Sequence, residues 1–446
     1  MSIPLPTLRI AIAGAGMGGL TTALALAHQG FQHIDLYELA SDLGFVGAGI
    51  QVAPNMSRQL QRLGVWGHMA EDAVDLAAAS VRACMTNEDL STVTLTHVAE
   101  RYGQPHRVAH RFALANALYE GCKAAAPRVT VHFRAAVVGI DFDGPRIQVQ
   151  ERDEAEPRWV DADVVVAADG IKSVIRKSML ARHGEQQDDA KDTGQAAYRI
   201  MLRRDQLAHD PELLAMIDSY STFRWIGAQR QIIAYPISNH RIFNISTSQP
   251  DLNFAAEPTA TWTTRADKSK MLAVFSDFCA PVQRMLALVE KDEVCEWKLR
   301  VHHPLKTWVE GNVALLGDAC HPTLPHLGQG ASQAIEDGLV LAVVLSKVTQ
   351  KKDIHTALRV YERLRKTRAE YLVEEADASG RALHLSDPAA QAARDEAFRQ
   401  VKHGGPHPDK WVDRTLQDFV YGFDCVDNAE EFHDEYFADE KERMRG

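Results

Sequence analysis

The sequence predicts an α/β fold in which a parallel sheet is interrupted by an inserted antiparallel sheet and followed by a helical C-terminal region. Three observations support this prediction. Residues 8–38 have the pattern of a strand, a glycine-rich turn, a helix and a second strand; residues 193–250 form short strand-like runs; and the spacing beyond residue 338 is helical. With 446 residues, the chain is long enough for two or three packed units.

We expect four segments from these patterns. They are a first domain in two parts (1–187 and 295–348), an inserted sheet domain (188–294) and a C-terminal helical region (349–446). An antiparallel sheet inserted at this point would cover one side of the first domain as a lid.

The glycine-rich turn near the N-terminus predicts nucleotide binding. An apolar strand ends before Gly14, and Gly16 and Gly19 complete a Gly-x-Gly-x-x-Gly spacing where an Ala- and Leu-rich helix opens. The next strand ends at Glu38, and 38 − 19 = 19 residues separate this acid from the last glycine. Such glycines let the backbone approach a pyrophosphate, while the carboxylate accepts hydrogen bonds from a ribose. The unit predicts a Rossmann-like domain for FAD or NAD, because the acid disfavours the phosphorylated ribose of NADP.

A second candidate site follows residues 313–316, a predicted buried strand that runs into Asp318. A loop with two prolines comes next, and a helix opens at Gly330 and Ala331. The Asp can accept hydrogen bonds from hydroxyl groups, and the first N–H groups of a helix face an anion. We expect a polar, partly anionic ligand here; a plain strand–turn–helix connection with a capping Asp is the alternative.

A third motif begins at Asp169. Residues 160–168 are predicted as one buried strand that ends there, after a hairpin formed by residues 129–138 and 146–152. The motif reads Asp-Gly-x-x-Ser-x-x-Arg and opens a helix. An N-cap explains the Asp alone, but the full spacing is longer than capping requires.

Two further positions could approach a ligand. Residues 44–55 contain three glycines, Gly49 among them, which allow the backbone to pass close to a flat ligand or another chain segment, with a plain loop as the alternative. Arg111 begins a predicted helix, where its charge opposes the helix dipole. We expect it to reach a nearby anion or acceptor, with a solvated Arg as the alternative.

The inserted sheet is predicted from residues 195–202, 221–235 and 241–247. Arg199 and Tyr235 are its candidate ligand-binding residues. For the Arg, a position on the solvated face of a strand is the alternative.

Helical spacing marks residues 270–288, 339–347 and 356–378. The C-terminal part is polar and rich in Asp, Glu and Lys. We therefore expect surface helices that close the fold.

Composition argues against several functions. Lys plus Arg number 49 and Asp plus Glu 60, a net charge of −11, so no basic face for a nucleic acid or an anionic membrane is expected. The six cysteines are scattered, which indicates neither a zinc site nor a disulfide framework. We see no secretory signal or membrane anchor, expect no metal, and predict a cytoplasmic monomer or homodimer.

Taken together, the motifs resemble the single-component FAD-dependent aromatic hydroxylases, the class of para-hydroxybenzoate hydroxylase and salicylate hydroxylase, over most of residues 8–345. The N-terminal glycines with Glu38 resemble the ADP-binding fingerprint of this family. The Asp169 motif resembles its middle motif, which has roles in FAD and NAD(P)H binding, and Asp318 with Gly330 resembles its flavin-ribityl motif. The loop that contains Gly49 and the His110-Arg111 pair are similar to the salicylate hydroxylase branch, in which the Arg contacts FAD.

The resemblance implies a Rossmann-like FAD-binding domain, an inserted antiparallel β-sheet substrate domain and a reaction that consumes NAD(P)H and O2. The chain offers one full nucleotide fingerprint, so the nicotinamide cofactor should bind transiently. A helix that starts near Ala331 would direct its positive end toward the flavin and favour the anionic reduced form. In this family a flavin hydroperoxide then hydroxylates an electron-rich phenol, in a salicylate-like substrate with or without loss of its carboxylate.

The resemblance also suggests catalytic roles. Arg199 is the candidate anchor for a phenolate or carboxylate, with Tyr235 as its partner. The 3-hydroxybenzoate members of the family carry a His four residues before this Tyr, where the present chain has Gln231, so the chain departs from that pattern. His326 is the other candidate base, and a loop His without a role is the alternative.

Other activities of the same fold remain open. A flavin halogenase would show a Trp-x-Trp-x-Ile-Pro motif, which the sequence lacks. A flavin reductase and a non-catalytic FAD-binding protein are the remaining alternatives, since fold alone does not prove activity.

Overall fold

The computed structural model describes residues 7–44, 48–185, 190–252, 263–265, 267–290 and 293–445. Part of the glycine-rich segment, including Gly47, lies outside these residues. The strands are β1 (Arg9–Ala13), β2 (His33–Glu38), β3 (Gly49–Val52), β4 (Val74–Asp75), β5 (Ala78–Ala83), β6 (Asp89–Thr94), β7 (Arg107–His110), β8 (Val129–Phe133), β9 (Ala135–Asp141), β10 (Arg146–Glu151), β11 (Arg158–Asp161), β12 (Val164–Ala167), β13 (Lys191–Arg203), β14 (Ser221–Gly227), β15 (Arg230–Ile237), β16 (Ile242–Pro250), β17 (Thr263–Arg265), β18 (Cys295–Val301), β19 (Val309–Glu310) and β20 (Val313–Leu315).

The helices separate these strands and form the C-terminal region. They are α1 (Met17–His28), α2 (Pro54–Arg62), α3 (His97–Tyr102), α4 (Arg111–Ala124), α5 (Val174–Arg182), α6 (Arg204–Leu207), α7 (Pro211–Asp218), α8 (Lys268–Val274), α9 (Ala280–Ala287), α10 (Gly330–Ser346), α11 (Ile354–Leu383), α12 (Pro388–Gln400), α13 (Arg414–Tyr421) and α14 (Cys425–Arg443).

The first domain is organised around a six-stranded sheet of order β19-β20-β12-β1-β2-β8. All neighbours pair in parallel except β19 and β20. The central strands are continuous apolar runs because helices cover both faces of such a sheet. The predicted α/β class is confirmed, with β1, β12 and β20 delivering their carboxyl ends to one edge, where the three sequence motifs begin.

Two sequence predictions in this region were wrong in detail. Residues 129–138 do not form one hairpin strand: β8 belongs to the main sheet, and only β9 pairs with β10. Arg134 separates them with a left-handed φ of 58°. Residues 160–168 likewise divide into β11, in a three-stranded sheet with β10 and β9, and β12 in the main sheet. One continuous apolar run thus contains parts of two strands, β11 and β12, that belong to different sheets. Periodicity alone does not reveal the division between them.

The inserted sheet has eight strands in the order β17-β18-β13-β16-β15-β14-β5-β6. Its pairs are antiparallel except β14 with β5. The run at residues 221–235 proved to be a hairpin of β14 and β15. The sheet also recruits β5 and β6 from far upstream and β18 from downstream, so it extends beyond residues 188–294. The four-segment division of the chain stays a prediction.

The C-terminal helices are not all surface helices, which corrects the sequence-based expectation. α11 buries side chains along its whole length, among them Tyr361, Arg365, Leu372 and Ala376. It packs against α10, and α14 packs against both. The expected single helical run at 270–288 is two helices, α8 and α9, with Pro281 in the first turn of α9.

Within the described ranges, no helix combines the length and the apolar character needed to cross a bilayer. The same residues hold no group of three or more metal-ligating side chains. All six cysteines are free thiols.

Candidate functional site

The N-terminal turn is shaped by two glycines and leaves the third position open. Gly14 has a φ of 95°, and a Cβ there would lie 2.5 Å from the carbonyl oxygen of Ala168. A Cβ on Gly19 would lie 2.0 Å from the oxygen of Gly14. By contrast, a Cβ on Gly16 would meet nothing within 4 Å. Gly14 and Gly19 therefore pack tightly against neighbouring backbone, whereas Gly16 faces open space at the N-terminus of α1. The N-terminus of a helix favours an anion.

Glu38 joins this turn to the end of β2. Its carboxylate accepts hydrogen bonds from the backbone N–H groups of Ala15, at 2.8 Å, and Ala40, at 2.9 Å. The acid predicted from the spacing thus lies beside the glycine turn. Its contact with a ribose stays a prediction.

Asp318 lies in a short 3-10 turn after β20. Solvent reaches its side chain although protein surrounds it on most sides, as at the bottom of an open cleft. No described residue donates a hydrogen bond to its carboxylate. This enclosure raises the pKa of Asp318, while the nearby His321 and Arg111 act to lower it. A carboxylate without a partner, facing a cleft, is available to ligand hydroxyl groups.

The Asp169 motif caps α5 and also reaches the Asp318 turn. Asp169 accepts from the N–H of Val174 at 2.9 Å, and Ser173 Oγ accepts from the N–H of Arg176 at 2.9 Å. The buried Arg176 guanidinium donates to the carbonyl oxygen of Ala319 at 3.2 Å. Capping therefore accounts for the Asp and the Ser, whereas the Arg links the two motifs. A direct role of Asp169 in cofactor binding stays a prediction.

Arg111 and Gly49 lie at the junction of the two large sheets. The side chain of Arg111 is exposed at the start of α4, and its positive charge is close enough to lower the pKa of both Asp318 and Arg199. Gly49 donates its N–H to Asn244 Oδ1 on β16 at 2.6 Å. The sequence allowed the backbone at Gly49 to pass close to a flat ligand or to another chain segment, and the structure shows the approach to another chain segment.

Arg199 and Tyr235 lie on the same face of the inserted sheet. Arg199 pairs across β13 and β16 with Ser246, and Tyr235 pairs across β15 and β16 with Asn244, two residues away. The Arg199 guanidinium lies 4.5 Å from the ring centroid of Trp297. Among the described residues it has no carboxylate partner. Burial and then the charge of Arg111 lower the pKa of Arg199 to about 10, so the group remains a cation at neutral pH.

The Tyr235 hydroxyl remains protonated at neutral pH. Burial raises its pKa, and the neighbouring Arg199 opposes that effect only in part. The tyrosine can therefore donate a hydrogen bond on the same face as an uncompensated cation.

His326 lies on the same face but farther along it. Its Nδ1 is 3.4 Å from the side-chain nitrogen of Gln231. Gln231 is four residues before Tyr235 on β15, so Gln231 and Tyr235 are about 13 Å apart at the usual rise per residue. Burial, with smaller effects from His384 and Arg224, lowers the pKa of His326 to about 3. The imidazole is therefore neutral and a weak base, and its role as catalytic base stays a prediction.

The sequence analysis missed the contribution of the C-terminal region to this site. Trp411, Leu416 and Tyr421 belong to one buried cluster with Leu324 and Leu327, which flank His326 in the loop before α10. Ala197 and Tyr235 of the inserted sheet belong to the same cluster. The aromatic residues of the segment indicated burial, but nothing in the sequence indicated their partners.

A buried ion pair joins this segment to the inserted sheet. Nη1 of Arg224, on β14, lies 2.9 Å from Oδ2 of Asp409, and both side chains are almost inaccessible. The atoms are poorly aligned for a hydrogen bond, so the attraction is chiefly electrostatic. Arg224 pairs with Ile233 on β15, two residues from Tyr235, and so lies on the same face as Tyr235.

The residues present suit FAD. The open space above Gly16 can take a pyrophosphate, and the unpartnered carboxylate of Asp318 can take ribityl hydroxyls. The N-terminus of α10 follows in the same cleft, with Gly330 and Ala331 in its first turn. These features define the class of protein as a flavoprotein with a Rossmann-like domain and an inserted, mainly antiparallel sheet.

Comparison with known proteins agrees with this class. A family model described as an FAD binding domain matches residues 7–376. The FAD-dependent monooxygenase ntnJ of Nectria sp is 33% identical over 401 residues, which cover 90% of this chain and 91% of that relative. The 3-hydroxybenzoate 6-hydroxylase 1 of Aquipseudomonas alcaligenes is 32% identical over 358 residues, 80% of this chain and 84% of the relative.

A solved salicylate hydroxylase substrate complex shares the fold, with a TM-score of 0.75 at 22% identity over 95% of this chain and 98% of that chain. The chain thus belongs to the family of FAD-dependent monooxygenases. The resemblance stated from the sequence motifs is confirmed, and so is FAD as the cofactor.

Proposed function

We propose that the protein hydroxylates a phenolic aromatic acid, with NAD(P)H as the reductant and O2 as the oxidant. The observation that carries this proposal is Arg199, a cation on the covered face of the inserted sheet with no described carboxylate to neutralise it. A charge in such surroundings is costly unless an anion accompanies it. A phenolate or an aromatic carboxylate would supply that anion.

In this proposal Arg199 activates the substrate electrostatically. A guanidinium beside a phenol favours the phenolate and lowers the pKa of the substrate hydroxyl, which makes the ring a better nucleophile. Tyr235, which stays protonated, would donate a hydrogen bond to the same oxygen. His326, whose pKa burial lowers to about 3, is neutral and stays a candidate acceptor for the phenol proton. Solvent or a group of the substrate is the alternative acceptor.

The surroundings of Arg199 support transfer of oxygen to the substrate, because exclusion of water would keep an activated oxygen species from being lost to hydrolysis. The bound flavin would supply the oxygen-activating chemistry. The protein would exclude water with the apolar cluster of Leu324, Leu327 and Trp411, to which Ala197 and Tyr235 of the inserted sheet also belong. Names of relatives are consistent with small aromatic acids as substrates, since two of them act on hydroxybenzoate or salicylate.

A screen of hydroxybenzoates tests the proposal directly. Oxidation of NADH or NADPH and uptake of oxygen are measured with salicylate, 3-hydroxybenzoate and 4-hydroxybenzoate, and with benzoate as the control that lacks the phenol. Mass analysis of the product distinguishes simple hydroxylation from hydroxylation with loss of CO2. We expect stimulation by at least one phenolic acid and a product with one added oxygen atom. No stimulation by any of them would refute the substrate class.

Arg199→Ala tests the anchor. Loss of a charge-assisted contact should lower kcat/KM about 10- to 100-fold while FAD stays bound. Arg300→Ala is the matched control, because Arg300 lies on the adjacent strand β18 and is already paired with Asp192 at 2.6 Å. An equal loss in both variants, or none in the first, would rule out Arg199 as the anchor.

A further inference from the structure

Arg365, on α11, joins two consecutive carboxylates of α10. Its Nε donates to Asp337 Oδ1 at 2.8 Å, and its Nη1 donates to Glu336 Oε2 at 2.7 Å. Its Nη2 donates to Gln333 Oε1 at 2.7 Å. All four side chains are inaccessible to solvent. Two adjacent carboxylates cannot both stay ionised in such surroundings without cations, and Arg365 is a cation that contacts both of them.

Asp337 extends the interaction to the turn that carries Asp318. Its Oδ2 accepts from the N–H of Gly317 at 3.0 Å and from His321 Nε2 at 2.6 Å. Gly317 and His321 lie on either side of Asp318 in the chain. The carboxylate held by Arg365 therefore fixes the backbone before and after the ribityl candidate.

Glu336 extends the interaction to the start of α2 and to the residue before α10. Its Oε1 accepts from Asn55 Nδ2 at 2.8 Å, and the same amide nitrogen donates to Gln329 Oε1 at 3.1 Å. Asn55 lies in the first turn of α2, shortly after Gly49, and Gln329 precedes Gly330 at the start of α10. One guanidinium is thus connected, through one intervening carboxylate in each case, to the Asp318 turn and to Asn55, which in turn contacts Gln329.

We propose that Arg365 is a positioning residue for FAD, although it does not touch the cofactor. It holds the Asp318 turn and the Gln329 segment in the geometry that binds flavin, so the strength of FAD binding depends on a helix far along the chain from the nucleotide fingerprint. The proposal goes beyond the substrate assignment and does not depend on it, because it requires only that the protein binds FAD.

Arg368 provides an internal control. It also contacts Glu336, with Nε 2.9 Å from Oε2, but it has no contact with Asp337. Its Nη2 also donates to Glu336 Oε1 at 3.2 Å, and its Nη1 and Nη2 donate to the carbonyl oxygens of Phe419 and Val420 in the C-terminal segment. A substitution at either Arg removes a buried cation from the same carboxylate, yet only Arg365 is connected to the Asp318 turn.

The test compares Arg365→Met, Arg365→Lys, Arg368→Met and Arg368→Lys in the full-length protein. The dissociation constant of FAD is measured from the recovery of flavin fluorescence on dilution, and the melting temperature is measured on FAD-depleted protein. We expect the FAD dissociation constant to rise about 100-fold in Arg365→Met and about 10-fold in Arg365→Lys, which keeps the charge but cannot bridge both carboxylates. The Arg368 variants should stay within about threefold of the parent at a comparable fall in melting temperature.

Equal FAD dissociation constants in the Arg365 and Arg368 variants would overturn the proposal, because a general loss of stability would then explain both. If the Met variants do not fold, the two Lys variants decide by the same comparison. Loss of hydroxylation with unchanged FAD affinity in the Arg365 variants would also overturn it. Absence of any phenol hydroxylation in the parent protein would refute the proposed substrate class and leave this comparison intact.

Discussion

The backbone of Gly49 lies directly against the ring of Tyr235. A Cβ on Gly49 would be 2.6 Å from Cε2 and 2.8 Å from the hydroxyl oxygen of Tyr235, closer than real side chains approach. The hydrogen bond from Gly49 to Asn244 holds the two segments together. The first domain and the inserted sheet therefore meet at a point where any side chain larger than glycine would displace the candidate catalytic tyrosine.

Gly49→Ala should destabilise the protein by about 1–3 kcal/mol, because the added methyl group overpacks a buried contact. Urea unfolding measures this change. Gly67→Ala is the control, since a Cβ there meets nothing within 4 Å, and it should be nearly neutral. Adding Tyr235→Leu to Gly49→Ala should recover part of the loss; strictly additive effects of the two substitutions would contradict the contact.

Gly16→Ala should separate folding from cofactor binding. Its φ is −72°, which any residue adopts, and its Cβ would point into open space, so stability without FAD should change by no more than about 0.5 kcal/mol. The methyl group would occupy space that a pyrophosphate needs, so FAD should bind at least about tenfold more weakly by fluorescence titration. Unchanged FAD affinity would contradict the assignment of this turn to the cofactor.

Asp409→Asn should cost about 3–5 kcal/mol in the free energy of unfolding, because it leaves Arg224 charged and unpaired in a buried position. Glu88→Gln, which breaks the exposed pair between Glu88 and Arg399, should cost far less, because solvent screens that pair. Urea denaturation of both variants provides the comparison. Equal costs would indicate that the Arg224–Asp409 pair is not effectively buried.

Stability should fall as the pH is lowered below about 6.5. Burial lowers the pKa of His106 and of His326 to about 3 and that of His384 to about 4. Between those values and the unfolded pKa of about 6.5, the unfolded chain binds more protons, so each His lowers stability by about 2 kcal/mol at pH 5 relative to pH 7. Denaturant titrations at pH 7, 6 and 5 measure the effect, and His384→Gln should make the dependence shallower. A constant midpoint over this range would show that these imidazoles are not held neutral.

The nucleotide-binding half of the site could be predicted because its signals are local. Gly19 and Glu38 are constrained by contacts within one strand–turn–helix–strand unit, and the strand ends predicted before Gly14 and at Glu38 are those observed. Asp318 could be predicted for the same reason, because a strand end and a helix start flank it within a short stretch of sequence.

The remainder depends on pairings that a sequence does not specify. β5 joins the inserted sheet in parallel beside β14, more than a hundred residues later, and no periodicity in either strand identifies the other. Helical spacing in α11 indicated a buried face but not that Arg365 would bind Glu336 and Asp337 of α10. Trp411 is a comparable case, because its region was expected at the surface, and its neighbours in the buried cluster could not be foreseen.

The end of the family match falls inside a single rigid helix. The matched region stops at residue 376, whereas α11 continues to Leu383 and then leads to Asp409 and Trp411. A chimera joined at that boundary, with the C-terminal portion grafted from a relative, would exchange the Trp411 segment that packs with Leu324, Leu327 and Tyr235 while retaining the parent's Asp318 turn. Such grafts should alter which phenols are accepted before they alter the colour of the protein.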